Sequence, residues 1–240
     1  MPTPFFFTDP IKFSDNIIVL NEENSKHIVQ VLRMQEGKQV KLTDGLGNIF
    51  LAEIMDAHKK KCTVKIITRD FIEPTNNKVC IAVSPVKNNS RLEWFLEKAT
   101  EIGVTEIVPL MCDRTEKQFL KQDRMKGILI SALLQSQQAW LPILAEPQKF
   151  DSFVNARKDE NKFIAHCEED DKKSLAEVAF SHQHNSTLIN QLIIIGPEGD
   201  FTKEEITLAL ENNFTPIALG NTRLRTETAA LVAATLLCVK

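Results

Sequence analysis

No apolar run in the 240-residue sequence approaches the ~18 consecutive residues that mark a membrane-spanning helix. The aromatic start "MPTPFFFTDP" is cut off by Asp9 and Pro10 well short of a secretory hydrophobic segment, so a soluble, cytoplasmic chain with no membrane partner is expected. No C-x-x-C pair occurs among the five cysteines, Cys62, Cys80, Cys112, Cys167 and Cys238. Odd in number and dispersed, they read as reduced thiols and outline neither a disulfide framework nor a zinc site. His182 and His184 in "SHQHN" lack a Cys, Asp or Glu at ligand spacing, so a solvated loop and no metal is expected there. Neither G-x-G-x-x-G nor G-x-x-x-x-G-K-[ST] is found, which removes the usual signatures of dinucleotide and ATP sites. There is no excess of positive charge: 29 basic against 32 acidic residues exclude a uniformly cationic coat. Any site for a polyanion must therefore be concentrated.

What is present is a globular composition, 43% hydrophobic, with enough chain for one large domain or two modest ones. Residues 16–72 read as short strands with turn chemistry: "NIIVL", "KQVKLTDGLGNIFLAEIMD" and "KCTVKIITRDF", broken by Asp44-Gly45 and Gly47-Asn48. A helical interlude, "ENSKHIVQVLRM", sets Ile28, Val31 and Leu32 at i, i+3 and i+4 and closes at Gly37. The polar "EPTNNK" then reads as a linker, which puts a domain boundary near Pro74: residues 1–72 and 73–240.

Beyond it the rhythm becomes strand-helix-strand. "VCIAVSP" predicts a buried strand, and "NNSRLEWFLEKATEIG" a helix with a Ser90/Glu93 capping box and a left-handed stop at Gly103. "VTEIVPL" follows as a strand; then come a long helix from about Gln122 to Ala139, the strand "KFIAHC" and a helix near Leu175 to Ala179. The strand "QLIIIG", a helix from Lys203, the strand "TPIALG" and a last helix complete the series. Such alternation predicts an α/β domain, a mainly parallel sheet with helices on both faces.

Two junctions stand out. In "LIIIGPEGDFTKEEI" a strand end meets Gly196-Pro197-Glu198-Gly199, and Thr202 with Glu205 forms a second capping box. Glycines there let a ligand or another backbone come close, and the carboxyl edge of a parallel sheet is where ligands bind, yet an ordinary capped turn accounts for the same residues. "IALGNTRLRTETAALVAATLL" repeats the arrangement with Gly220, Arg223, Arg225, Thr226 and Glu227, followed by a helix apolar nearly all round that calls for burial in a core or a subunit interface.

These two stretches together resemble the knotted RNA methyltransferases of the SPOUT superfamily, most closely the family that makes 3-methyluridine in 16S ribosomal RNA. The resemblance extends to "HIVQVLRMQEGKQVKLTDGLG", "RLEWFLEKATEIGVTEIVPL" and "LLQSQQAWLP", nearly the whole chain. It implies a small PUA-like β-barrel domain that binds RNA and a carboxyl-terminal domain with a trefoil knot that binds S-adenosylmethionine. It further implies a homodimer through that domain, acting on the small ribosomal subunit. Composition and periodicity carry none of the knot, and general topology rules oppose one.

By that resemblance Ile195, Gly196, Pro197, Glu198, Gly199, Leu219, Gly220, Leu224, Arg225 and Thr226 enclose the donor. Arg225 is the expected uracil-handling group, since a guanidinium can hold an oxygen that gains charge as N3 is deprotonated. Glu227 or Glu198 is the expected base; a salt bridge of Arg225 to one of them, and a helix-dipole role for Glu227, are the bland readings of the same residues. Arg33, Arg91 and Arg114 are candidate phosphate contacts, and Gln135 and Ser136 candidate nucleotide contacts. The chain departs from the family at three places: Asp200 stands where a further Gly is usual, Gln138 where an Arg commonly follows Q-S, and Pro4 where an Arg is frequent. The alternatives are methylation of a ribose 2′-hydroxyl or another base, and a non-catalytic assembly factor that only binds RNA.

Overall fold

The computed structural model describes residues 3–116, 120–168, 171–182 and 189–239. His184 and the side chain of His182 lie outside the described residues. By contacts the chain forms two compact units, residues 1–74 with 133–141, and residues 75–132 with 142–240.

In the first unit β1 (Phe5–Phe7), β2 (Ile17–Val19), β3 (Gln39–Thr43), β4 (Asn48–Asp56) and β5 (Thr63–Phe71) form one sheet in the order β1-β3-β4-β5-β2. Only β1 against β3 is parallel. Period-2 alternation sends Phe50, Ala52 and Ile54 of β4 inward with Val40, Leu42 and Val64, as expected of a sheet with one buried face. The tight β3–β4 connection turns on Gly47, at φ 93, where a Cβ would come within 2.5 Å of the Trp140 ring. Trp140 Nε1 donates to Ile72 O at 2.8 Å and Leu141 N to Gly45 O at 2.9 Å, which is why residues 133–141 cluster with this unit.

The helical interlude differs from its sequence reading. α1 (Glu22–Lys26) is regular, but the chain then widens into one turn of π-helix at His27–Val31, with Leu32 N donating to His27 O at 2.9 Å. The wider turn rotates the later side chains off the expected face: Ile28 is buried, whereas Val31 and Leu32 are 68% and 41% exposed. β1, three residues between Pro4 and Asp9-Pro10, is too short for a periodic signal and is not expected from the sequence.

In the second unit β6 (Asn77–Val83), α2 (Asn89–Ile102), β7 (Glu106–Met111), α3 (Gln122–Gln135), β8 (Ile143–Leu144), β9 (Gln148–Lys149) and α4 (Phe150–Ala156) come first. They are followed by β10 (Asn161–Ala165), β11 (Lys173–Ser174), α5 (Leu175–His182), β12 (Ile189–Ile195), α6 (Lys203–Glu211), β13 (Thr215–Ala218) and α7 (Thr226–Cys238). The sheet is parallel in the order β11-β13-β10-β12-β6-β7-β8, with β9 also on β7. Its centre is β12 beside β6, where Gln191 to Ile195 and Val79 to Val83 are all buried, because helices cover both faces.

α2 is capped by Asn88, whose side chain accepts from Ser90 N at 2.9 Å, and not by the anticipated Ser90/Glu93 box. Asn and Ser are comparable caps, and the one with extended backbone at the strand exit is used. Glu93 instead receives Arg124 at 2.5 and 2.9 Å. The expected stop at Gly103 holds, at φ 99. α3 ends at Gln135, short of Ala139, because Gln137 turns to φ 55 and Gln138 N returns to Leu133 O. α4 was not anticipated; seven residues give too few turns for a periodic signal, although Phe150, Phe153 and Val154 are buried.

Cys80 and Cys112 belong to the core on the sheet. Burial first, and the nearby carboxylates of Glu106 and Glu205 second, push both thiols well above their usual value. A thiol held protonated in the fold binds its proton where the unfolded chain has released it. The stability it carries is therefore complete below about pH 9 and is lost as pH rises toward the folded value. The urea midpoint is expected to fall between pH 8 and pH 10, and to fall less in Cys80→Ala/Cys112→Ala; equal slopes would contradict this.

Candidate functional site

Three loops leave the same edge of the second unit's sheet, one more than the two that glycine marks. Register sets Ala165 beside Ile195 and Ile164 beside Pro216, so the chain exits β10, β12 and β13 side by side. The three exits line a cavity of about 810 Å³, within the range typical of small-molecule sites. Ile195, Gly196, Pro197 and Glu198 line it from the second exit, and Leu219, Gly220, Leu224, Arg225 and Thr226 from the third. Sequence reasoning missed the contribution of the first exit, Ala165, His166, Cys167 and Lys172. "KFIAHC" reads as a strand, and no glycine marks its end.

The loop after β12 is held from several directions. Thr226 Oγ1 donates to Gly196 O at 3.1 Å, and Asp200 N to Pro197 O at 2.9 Å. Thr202 and Glu205 form the anticipated capping box, and Glu205, 6% exposed, also accepts Asp113 N at 2.8 Å. Arg114 Nη1 donates to Gly199 O at 2.8 Å. A Cβ on Gly196 would come within 3.0 Å of the Phe201 ring. Gly199 does not line the cavity; a Cβ there would make ordinary contact with Arg114 at 3.5 Å. Of the two glycines, 196 is the tighter position, lining the cavity and abutting Phe201.

The charged groups sort themselves. Arg91, on the first turn of α2, stands between two carboxylates, 3.6 Å from Glu198 Oε1 and 3.6 Å from Glu227 Oε1. Glu198 is exposed at the cavity wall, whereas Glu227, in the first turn of α7, is 7% exposed, and its Oε2 has no hydrogen-bond partner among the described residues. Arg225 caps α7 with extended backbone, and its side chain is exposed and lines the cavity. Among the described residues no carboxylate pairs with it, so the salt bridge weighed from sequence is made by Arg91 instead.

The anticipated RNA contacts are placed differently. Arg91 is engaged in the wall of this cavity, and Arg114 in holding the loop after β12 from outside it. Arg33, exposed at φ 52, and Gln135 and Ser136 belong to the other compact unit. Ser136 Oγ donates to Leu133 O at 3.3 Å and accepts from Gln138 Nε2 at 3.1 Å. Among the described residues no cluster of His, Cys, Asp or Glu is arranged to hold a metal, and no helix is long and apolar enough to cross a membrane.

Comparison with known proteins matches residues 73–238 to the RNA methyltransferase domain and residues 20–67 to the RNA methyltransferase PUA domain. Ribosomal RNA small subunit methyltransferase E of Buchnera aphidicola is 31% identical over 229 residues, 91% of this chain and 86% of its own. A probable rRNA-methyltransferase of Porphyromonas gingivalis superposes with a TM-score of 0.87 at 36% identity, covering 98% of both chains. The crystal structure of ribosomal RNA small subunit methyltransferase E from Neisseria gonorrhoeae bound to S-adenosyl methionine gives a TM-score of 0.82 at 26% identity, covering 97% of this chain and 95% of that one.

Proposed function

Because the chain belongs to the RNA methyltransferase family, whose domain spans residues 73–238, we propose that it methylates N3 of a uridine in 16S rRNA of the small ribosomal subunit, with S-adenosylmethionine as donor. The observation that carries this reading is the cavity at three adjacent strand exits, lined by Gly196 and by Arg225, which pairs with no carboxylate among the described residues. The residues suit the donor. Gly196 lines the cavity with bare backbone, an added Cβ at Gly220 would meet nothing within 4 Å, and Ile195, Leu219 and Leu224 offer apolar contact for an adenine. When bound, the donor supplies a methyl group on positively charged sulfur, which departs as a neutral thioether.

The chain must then align the acceptor nitrogen and take its proton. Arg225 is placed to hold O2 or O4 of the uracil, which gains charge as the N3–H bond breaks. Glu198, at the cavity wall, accepts the N3 proton as the new N3–carbon bond forms. Glu227 anchors Arg91, which in turn directs the Glu198 carboxylate. In this reading residues 1–72 bind RNA and residues 73–240 bind the donor, with Arg33, Gln135 and Ser136 as RNA contacts. α7 pairs two copies into a homodimer: Ala230, Ala233, Ala234 and Leu237 are buried, while Ala229, Leu231, Val232 and Leu236 stay partly exposed. A cytoplasmic location follows from a ribosomal substrate.

The test is transfer of a labelled methyl group to small subunits from cells lacking the protein, with the modified atom mapped by mass spectrometry. Label on N3 of a uridine is the expected result. Label on a ribose oxygen or another base would overturn the choice of target, and failure to bind the donor would overturn the enzyme reading.

A further inference from the structure

Asp200 lies at the end of the turn that leaves β12, half-buried and lining the cavity. Its φ is 63, the left-handed region that glycine, asparagine and aspartate enter far more readily than other residues. Both carboxylate oxygens are taken by backbone donors. Oδ1 accepts Phe201 N at 2.9 Å, a local bond that steadies the turn, and Oδ2 accepts Cys167 N at 2.8 Å. The second bond crosses from the loop after β12 to the loop after β10, two segments of the cavity wall 33 residues apart in the chain. The loop after β10 is further drawn together where Lys172 Nζ donates to His166 O at 2.9 Å.

The other ties on the loop after β12 run elsewhere: Thr226 fastens it to α7, and Arg114 and Glu205 fasten it to the turn after β7. The Asp200 carboxylate supplies a link to the wall contributed by His166 and Cys167. A backbone amide held this way cannot swing into or away from the cavity without breaking a charge-assisted hydrogen bond.

We propose that Asp200 is a positioning residue, a carboxylate latch that fastens the loop after β10 to the loop after β12 and sets one wall of the cavity before the donor arrives. The role rests on the donor reading above. It acts by preorganisation: a wall already in place need not be ordered when the ligand binds. It acts through the backbone, by fixing the Cys167 amide and the wall that carries it, and that wall is the same for either ligand. A cationic sulfonium donor and its neutral thioether product therefore benefit alike.

The experiment titrates S-adenosylmethionine and S-adenosylhomocysteine calorimetrically into the wild type, Asp200→Gly and Asp200→Asn, and follows amide hydrogen exchange at Cys167 in the ligand-free proteins. Glycine accepts φ 63 without strain and removes the carboxylate alone. Asp200→Gly is expected to weaken both ligands by the same factor, on the order of tenfold for one charge-assisted bond, and to speed exchange of the Cys167 amide. Asp200→Asn keeps one acceptor oxygen and tolerates the same backbone, so it is expected to recover most of the affinity. Unchanged affinity or unchanged Cys167 protection in Asp200→Gly would overturn the latch. So would a loss confined to the cationic ligand, which would mark a direct charge contact, or a failure of asparagine to rescue. A wild type that binds neither ligand would overturn the donor reading, while the exchange measurement would still test the latch.

Discussion

Arg225→Ala is expected to lower methyl transfer by about 100- to 1,000-fold, the cost of removing one preorganised donor from a developing oxyanion. The fold should be untouched: the side chain is exposed and pairs with no carboxylate among the described residues, so its loss leaves no buried charge behind. Its contribution to the helix is made by backbone, since Ala229 N donates to Arg225 O at 2.7 Å whatever the side chain. Donor affinity should fall far less than turnover, because the guanidinium acts on the acceptor. Lysine should rescue poorly, since a point charge does not reproduce the planar fork. Single-turnover transfer with calorimetric donor binding separates the two effects, and near-normal turnover would remove Arg225 from the chemistry.

Gly196→Val is expected to abolish measurable donor binding and to destabilise the protein by about 1–3 kcal/mol, the usual cost of forcing extra methyl groups into a packed site. The cause is geometric. An added Cβ meets Phe201 Cδ2 and Cε2 at 3.0 Å, and Phe201 is itself buried against Phe150 with ring centroids 5.5 Å apart, so the ring can make way only by shifting within a packed core. The γ-methyls then have the cavity as their outlet. Gly199→Ala is the control: its Cβ meets only the Arg114 side chain at 3.5 Å, and a much smaller effect is expected. Calorimetry and denaturant unfolding read both variants, and comparable donor affinity in Gly196→Val would refute the proposed lining. From sequence the two glycines are interchangeable members of one motif, and only their surroundings distinguish them.

Much of the local structure was legible because its causes are local. The Thr202/Glu205 box, the Gly103 stop and the β3–β4 turn depend on residues within a few positions of one another, and they form as written. Ser90 and Val31 show the limit of that reasoning. A competing cap at Asn88 took the helix start, and one widened turn at His27–Val31 moved the following side chains to the surface. β1 and α4 escaped because they are too short for periodicity to register.

The chain's sequence alone determined that strands alternate with helices after residue 74, that two strand exits carry glycine, and that the arginines and the glutamate of the last junction sit together at a helix start. These are properties of spacing, and spacing survives in one dimension. Tertiary structure alone decided which exits are neighbours. The order β13-β10-β12-β6 brings a third, unmarked exit into the cavity, sets Arg91 between Glu198 and Glu227, and joins Asp200 to Cys167. Strand order is set by pairings between segments distant in the chain, whose energy lies in shared burial and interstrand hydrogen bonds and leaves no local pattern to read.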